Sequence, residues 1–267
     1  MKLEARDLAY GYRGHVVGQG ANLTLSAGEI VCILGPNGGG KTTLFRTLLG
    51  LIAPLGGEVL LEGSSLHRRP RSAIARMLGY VPQAHTGYFP FTVQDVVLMG
   101  RTAHLSPFAT PLRSDREQAM AAIERVGLAT LADSEYTRIS GGERQLALIA
   151  RALAQATPLL VMDEPTASLD FGNQVRVLET VVGLAKEGKG ILLSTHDPDQ
   201  VFLCADRVAL VHRGRVTDIG PPQSGLDAGL LRDLYGVEVQ VSELDIGGKT
   251  RRVCVPVAAQ SAISDRE

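Results

Sequence analysis

The amino-acid sequence predicts an α/β fold with a mostly parallel sheet, an N-terminal antiparallel β subdomain and an inserted helical subdomain. Residues 30–34, 159–162 and 191–194 are short apolar segments that stop at polar residues, which is typical of parallel strands buried on both faces. Helical patterns at 42–51 and 174–186 follow such strands. Because strand and helix alternate, we expect right-handed crossovers in one sheet, with ligands beyond the carboxyl ends of its strands.

The two ends of the chain contain patterns of a different kind. Apolar and polar residues alternate along 2–10, as in a half-buried strand, and 23–25 and 58–61 show a similar pattern. These segments predict an antiparallel β layer around the first part of the chain. Near the other end, residues 237–241 and 252–257 predict a hairpin that turns at Gly247 and Gly248, followed by a frayed tail.

The middle of the chain, from about residue 92 to 156, is helical in pattern. Helices are expected at 93–100, 115–126 and 143–156, and Thr92 is placed to cap the first of them. This block separates two of the predicted parallel strands, so we interpret it as a helical subdomain inserted into the α/β domain.

Composition excludes several classes of protein. The chain has 267 residues, of which 45% are hydrophobic and 21% charged, and a formal net charge of −1. A balance this even provides no basic face for nucleic acid or anionic lipid. Cys32, Cys204 and Cys254 lie far apart, which favours reduced thiols over a disulfide framework or a metal site. The sequence contains neither a recognisable signal peptide nor an apolar stretch near the roughly 18–20 residues that span a membrane.

A glycine-rich loop between the first parallel strand and its helix has the pattern G-x-x-x-x-G-K-[ST], which binds phosphate. Its residues are Gly35, Pro36, Asn37, Gly38, Gly39, Gly40, Lys41 and Thr42. Backbone N–H groups of such a loop surround the β-phosphate, and the helix dipole favours the negative charge. We expect Lys41 to bridge the β- and γ-phosphates of ATP, Thr42 to bind Mg²⁺ and Thr43 to support the phosphates. The motif and its flanking elements predict a P-loop NTPase core.

Polar residues at the ends of the other parallel strands complete a candidate catalytic site. Asp163 is placed to hold Mg²⁺ through water, and the adjacent Glu164 to activate water as a general base. His196 could contact the γ-phosphate, although a lone histidine is more often structural. Gln83 could bind Mg²⁺ or order water, but taken alone it is better explained as a residue of a surface loop.

A second glycine-rich helix start follows about a hundred residues after the first. Ser140 and Glu143 fit a capping box, so the segment could be a helix start and nothing more. Gly141 and Gly142 nevertheless leave an open anion site like that of the phosphate loop. Since one phosphate group cannot easily occupy both sites in one monomer, a symmetric dimer is expected, in which each copy closes on the other's nucleotide.

These motifs, in this order, resemble those of the ATP-binding-cassette (ABC) ATPases over about residues 1–240. The resemblance rests on the phosphate loop, Gln83, residues 140–145, Asp163 with Glu164, residues 168–170 and His196. It implies a head-to-tail homodimer with two ATP molecules at the interface. It also implies that the residues acting on the partner's nucleotide are Ser140, Gly141, Gly142, Glu143 and Asp170.

The resemblance gives expectations for the remaining parts of the chain. Tyr12 matches the aromatic residue that stacks on adenine, although packing within a strand explains it equally well. Gln83 would lie in the loop that senses the membrane subunits. The ATPase domain would comprise residues 1–240, and residues 241–267 a C-terminal hairpin and tail.

Further matches at 91–101, 146–155 and 195–198 resemble the importer branch that handles metal chelates. We therefore expect an ATPase subunit of an importer, with an iron–siderophore complex as the first substrate candidate and molybdate, cobalamin or haem as alternatives. An exporter subunit, a soluble cassette ATPase acting on DNA or ribosomes, and a P-loop kinase are the competing hypotheses. Gly39, Ile139 and Leu146 depart from the family's usual residues, and we expect activity to survive all three changes.

The expected partners are a second copy of the chain, integral membrane permease subunits and, indirectly, an external substrate-binding protein, with no nucleic acid. The resemblance places the chain at the cytoplasmic face of the membrane as a peripheral subunit. Tyr88, Phe89, Pro90 and Phe91 form an aromatic cluster that could dock on the permease or belong to a local core.

Overall fold

The structure is a computed structural model that describes residues 1–83, 90–106, 109–167 and 169–257. In chain order the strands are β1 (Lys2–Tyr12), β2 (His15–Ser26), β3 (Ile30–Leu34), β4 (Gly56–Leu61), β5 (Ser64–Ser65), β6 (Leu78–Val81), β7 (Leu159–Met162), β8 (Gly190–Thr195), β9 (Arg207–His212), β10 (Arg215–Gly220), β11 (Val239–Ile246) and β12 (Lys249–Pro256). The α-helices are α1 (Lys41–Leu48), α2 (Arg71–Ala75), α3 (Val93–Leu98), α4 (Arg113–Arg125), α5 (Gly141–Ala154), α6 (Phe171–Lys186), α7 (Pro198–Cys204), α8 (Pro222–Gly225) and α9 (Ala228–Tyr235).

The main sheet positions the phosphate loop. Within the described residues its strands follow the order β10-β9-β3-β8-β7-β6, and all neighbours are parallel except β10 with β9. Each residue of β3, β7 and β8 is buried, as expected for strands covered on both faces. The α/β fold and its three apolar strands are therefore confirmed, and the carboxyl ends of β3, β8 and β7 lie side by side.

A second, antiparallel sheet covers one face of the main sheet, with α1 between the two. Its strands follow the order β2-β1-β4-β5. Val31 and Ile33 of β3 point into the core shared with this sheet and with Phe45 of α1, whereas Cys32 and Leu34 point into the core on the opposite face. This alternation along one strand fixes α1, and with it the phosphate loop, between two apolar layers.

Helices α3, α4 and α5 lie between β6 and β7 in the chain, where the helical pattern was expected. The Thr92 hydroxyl caps α3 by accepting a hydrogen bond from the backbone N–H of Asp95, so the predicted cap is confirmed. A buried ion pair between Arg101 and Asp115 (N···O 3.0 Å) joins this region, and the Arg101 guanidinium also donates to the carbonyl of Ala154 at the end of α5. Helix α3 ends at Leu98, two residues earlier than predicted, because the chain continues as a 3₁₀ turn.

The C-terminal part contains α9 and a hairpin of β11 and β12. The hairpin turns at Gly247 and Gly248, both with left-handed backbones, as the sequence predicts. Its strands are longer than expected, and β12 packs on α7. Among the described residues no helix is long and apolar enough to cross a membrane.

Candidate functional site

The phosphate loop depends on glycine at two positions. Gly40, which precedes α1, has a left-handed backbone (φ 96°) that favours glycine, and a Cβ there would lie 2.5 Å from a methyl carbon of Val17. A Cβ on Gly35 would lie 2.5 Å from the carbonyl oxygen of Val211 in β9. No side chain caps the first turn of α1, so its N–H groups point into the loop as anion donors.

Lys41 is buried at the start of α1, with 4% of its surface exposed. Its ammonium donates hydrogen bonds to the carbonyls of Gly35 (2.8 Å) and Pro36 (3.0 Å). The same nitrogen lies 2.9 Å from Oε1 of Glu164, which is 123 positions later in the chain. The fold therefore brings the loop's cation and the predicted base into direct contact.

Glu164 lies just beyond the end of β7 and joins two of the predicted site residues. Its Oε1 contacts Lys41, and its Oε2 lies 3.3 Å from Nδ1 of His196. The backbone of Glu164 is left-handed (φ 45°), which is costly for a residue with a side chain and is concentrated at functional sites. Its N–H donates to the hydroxyl of Ser194 (2.9 Å), which helps to hold this conformation.

Ser194 also ties Asp163 into the site. The Ser194 hydroxyl, near the end of β8, donates to Oδ1 of Asp163 at 2.8 Å. One hydroxyl thus fixes the Asp163 carboxylate and the backbone of Glu164 together. Sequence reasoning missed Ser194, although a serine close to the end of an otherwise apolar buried strand is a signal that could have identified it.

Oxygen atoms suited to Mg²⁺ lie near this edge of the sheet. Asp163 is buried, whereas the Thr42 and Gln83 side chains are exposed. Burial, followed by the nearby Asp163 carboxylate, raises the pKa of the Tyr80 phenol to about 12, so it remains a hydrogen-bond donor beside that carboxylate. Carboxylate, hydroxyl and amide oxygens form the hard donor set that Mg²⁺ prefers, so these side chains fit the ion chemically.

Tyr12 lies beside the first turns of α1. Its ring is 45% exposed at the end of β1, so it is not part of the strand core. Its hydroxyl accepts a hydrogen bond from the Arg46 guanidinium (3.3 Å). A hydrogen bond from Thr43, and then the contact with Arg46, lower the pKa of Tyr12.

The second glycine-rich segment forms the start of α5. Ser140 caps this helix, and its N–H donates to the Glu143 carboxylate (2.7 Å) while its hydroxyl accepts from the N–H of Glu143 (3.3 Å), so the predicted capping box is confirmed. Ser140 and Gly141 are exposed. Within the described part of the chain, no hydrogen bond or ion pair joins residues 140–143 to Lys41, Glu164 or His196.

Asp170 lies near this segment through α6. Its carboxylate caps α6 by accepting from the N–H and the side-chain amide of Asn173, both at 2.8 Å. A Cβ on Gly142 would lie 2.5 Å from that amide nitrogen, so the two helix starts touch. Ser168 lies outside the described residues.

The predicted docking cluster is described only in part, since Tyr88 and Phe89 lie outside the described residues. Pro90 and Phe91 are exposed. A separate cleft of about 550 Å³ opens between the end of α1, α2 and the turn after α3. Leu51 and Met99 line it and are 48% and 41% exposed.

The chain is similar to known proteins in both sequence and fold. The family model described as ABC transporter matches residues 19–167. An uncharacterized ABC transporter ATP-binding protein of Haemophilus influenzae is 48% identical over 211 residues, which cover 79% of this chain and 80% of that protein. The hemin import ATP-binding protein HmuV of Nocardia farcinica is 38% identical over 254 residues, 92% of this chain and 86% of that protein. A solved metal-chelate type ABC transporter in an inward-facing conformation superposes with a TM-score of 0.86 at 32% identity, covering 98% of this chain and 99% of that one.

Proposed function

Because this chain belongs to the ABC transporter family and is an ATP-binding ATPase subunit of it, we propose that it powers import of a metal chelate, with an iron–siderophore complex as the first candidate. The proposal extends from the relatives, one of which is named for hemin import, and from the close superposition on a metal-chelate transporter. Haem, cobalamin and molybdate remain the alternative cargoes.

The observation that carries the catalytic part of the proposal is the position of the Glu164 carboxylate between Lys41 and His196, at 2.9 and 3.3 Å. A terminal phosphate bound beside Glu164 would lie close to a carboxylate base, a lysine ammonium and an imidazole. Glu164 accepts the proton of the attacking water, His196 orients that water, and Lys41 neutralises the charge on the terminal phosphate. The N–H groups of the loop and of the first turn of α1 hold the phosphates in place.

Thr42, Asp163 and Gln83 supply the oxygens that would hold Mg²⁺. The ion, when bound, neutralises charge on the phosphates of ATP. The contribution of the chain is to keep the Asp163 carboxylate fixed through Ser194 (2.8 Å). Tyr12, exposed beside α1, is the residue we assign to stacking on adenine.

We assign the start of α5 to the nucleotide of a second copy. Ser140 and Gly141 are exposed, and their segment makes no described contact with the catalytic side chains of its own chain. In a head-to-tail homodimer, Ser140, Gly141, Gly142 and Glu143 would approach the partner's γ-phosphate, with Asp170 at the seam.

The cleft beside α2 is our candidate for contact with the membrane permease, through which the chain would be held at the cytoplasmic face of the membrane. Leu51 and Met99 expose apolar surface there, and the cleft adjoins β6, which leads directly to Gln83. Leu51→Asp should abolish co-purification with the permease subunits while ATP turnover by the isolated chain stays unchanged. Retained co-purification would instead direct attention to Pro90 and Phe91.

The central test is Glu164→Gln, which removes the base and keeps the shape. Turnover should fall by about 10²–10⁴-fold, the usual contribution of general base catalysis, while ATP binding persists. In the presence of ATP and Mg²⁺ the variant should accumulate as a dimer, because ATP is no longer hydrolysed and the closed dimer does not reopen. Light scattering measures the mass of this dimer. Glu117→Gln, an exposed change on α4, is the matched control. Turnover within two-fold of the parent, without a trapped dimer, would remove Glu164 from this role.

The cargo is tested separately, by uptake into vesicles that contain the chain with its permease. Accumulation of a radiolabelled ferric siderophore in an ATP-dependent manner supports the first candidate. Uptake of haem, cobalamin or molybdate in its place would reassign the cargo and leave the ATPase mechanism unaffected.

A further inference from the structure

A hydrogen bond links the C-terminal part of the chain to the catalytic site. The hydroxyl of Tyr235, the last residue of α9, donates to the backbone carbonyl of His196 with an O···O distance of 2.7 Å. The two residues are 39 positions apart, and Tyr235 belongs to none of the motifs described above. We propose that Tyr235 is a positioning residue for His196 in ATP hydrolysis, an inference that rests on the proposed role of His196.

The direction of this hydrogen bond is fixed by chemistry. A carbonyl oxygen can only accept, so the phenol must be protonated. Burial, and then the negative charge of Asp197, raise the pKa of Tyr235 well above its usual range. The phenol therefore stays protonated, and so a donor, at neutral pH.

The peptide bond that follows His196 is held at both of its polar groups: its N–H, from Asp197, donates to the Thr195 hydroxyl (3.1 Å), and its carbonyl accepts from Tyr235. Strand β8 ends at Thr195, and α7 begins at Pro198, with Asp197 as its cap. Between the two elements, the backbone direction at His196 decides where its imidazole points. Since the imidazole lies 3.3 Å from the Glu164 carboxylate, a rotation of this peptide would separate the two groups.

The C-terminal hairpin holds Tyr235 in place. After Tyr235 the chain turns through Gly236, which is left-handed (φ 71°), and enters β11. Strand β12 is fastened to α7, because the N–H of Cys254 donates to the Asp199 carboxylate (2.7 Å). The Arg252 guanidinium lies 5.8 Å from the ring centroid of Phe202 on the same helix. The hairpin is thus fastened to α7, the helix that follows His196, while α9 bonds the His196 carbonyl through Tyr235.

Tyr235 and the C-terminal hairpin would therefore act in catalysis without contacting the phosphates. A base and an orienting group must stay within a fraction of an ångström of their working positions. Tyr235 supplies one anchor for His196, and the hairpin keeps that anchor from moving. Loss of the hydroxyl should therefore slow the chemical step and leave binding of ATP unchanged.

The experiment is a double-mutant cycle on the full chain, with Tyr235→Phe, His196→Ala and both together. Tyr235→Phe should lower kcat for ATP by about 3–10-fold, as expected for one neutral hydrogen bond, with KM unchanged. In the His196→Ala background the same change should have no further effect on kcat, because the backbone carbonyl remains but the imidazole that the bond positions is gone. Tyr136→Phe, which alters a buried tyrosine of the helical region, is the matched control. Thermal melting of each variant is followed, and a variant that melts early is assayed at 15 °C in saturating nucleotide.

The outcomes separate this inference from the proposed function. An equal loss of kcat in both backgrounds would overturn the inference, because Tyr235 would then act without His196. No loss of kcat in Tyr235→Phe, or a rise in KM in its place, would overturn it as well. If His196→Ala alone leaves turnover unchanged, the proposed role of His196 fails and the inference falls with it, whereas the roles of Lys41 and Glu164 stand.

Discussion

Helices α1 and α5 both begin at glycine-rich segments, yet the two starts are stabilised in opposite ways. At α1 no side chain caps the helix, and buried Lys41 contacts Glu164 behind the loop (2.9 Å). At α5 Ser140 and Glu143 satisfy each other's N–H groups, and the segment is exposed. The start of α1 leaves its N–H donors free for a ligand and has the proposed catalytic groups of its own chain beside it. The second keeps its shape without a ligand, which suits a surface that approaches a site on another molecule.

The largest expected effect is on the first start. Lys41→Met removes a cation that lies 2.9 Å from the Glu164 carboxylate, so that carboxylate loses its positive neighbour and the terminal phosphate its counter-charge. ATP turnover should fall by roughly 10²–10³-fold or more, as for the loss of one preorganised electrostatic contact. Release of phosphate is the measurement. Lys249→Met, in the exposed turn region of the hairpin, should retain parental turnover.

Removing the Ser140 hydroxyl at the start of α5 should lower ATP turnover less than Lys41→Met does. Thr92, which caps α3 in the same way, provides a matched control. Ser140→Ala and Thr92→Ala each remove the hydroxyl of a capping box and should each cost about 1 kcal/mol of stability. Only Ser140→Ala should also lower ATP turnover, by about ten-fold, since only its hydroxyl is proposed to face the partner's nucleotide. Equal turnover in the two variants at equal stability would reduce the start of α5 to a structural cap.

Mixing two inactive variants tests whether the second start acts in another copy. Ser140→Arg places a long side chain at the start of α5, and we expect it to be as inactive as Lys41→Met. In a mixed dimer one site carries both defects and the other carries neither, so a one-to-one mixture should recover about a quarter of parental turnover. Turnover that stays at the level of the separate variants would show that both starts serve the same chain's nucleotide.

The features of both helix starts that could be predicted from sequence are those that depend on nearby residues in the chain. Strands β3 and β7 were identified because every residue of each is apolar, and the caps at Thr92 and Ser140 because they depend on residues three positions apart. Such signals are local. The contact of Lys41 with Glu164 could be expected, since parallel strands bring their carboxyl ends to one edge.

Features that depend on tertiary packing were missed. Ser194 bonds Asp163 across neighbouring strands, and its significance depends on the register of β8 with β7. The bond from Tyr235 to His196 depends on how the end of α9 returns to the residue that follows β8, which no pattern within either segment specifies. The longer hairpin strands were missed for a related reason: two successive polar residues, Ser242 and Glu243, interrupt the apolar alternation of β11, and β12 begins with the polar residues 249–252.

The smallest effect on turnover is expected where the helical region is held together, at Asp115. A hydrogen bond from the Arg101 guanidinium, and then one from the backbone of Leu112, lower the pKa of Asp115. A lowered pKa means that the carboxylate stabilises the fold above its unfolded pKa of about 3.9, and that this contribution is lost as the pH falls through the folded value. Asp115→Asn should therefore lower the melting temperature at pH 7 and flatten its decline between pH 5 and pH 3.

The matched variant is Glu117→Gln on the same helix, whose partner Arg113 is exposed, so its melting curve should change little. At 25 °C, where both variants are folded, ATP turnover should stay within about two-fold of the parent, because the pair lies away from Lys41 and Glu164. A large loss of turnover in folded Asp115→Asn would mean that the orientation of α5, which Arg101 fixes through the carbonyl of Ala154 (2.8 Å), limits how the start of that helix reaches a nucleotide.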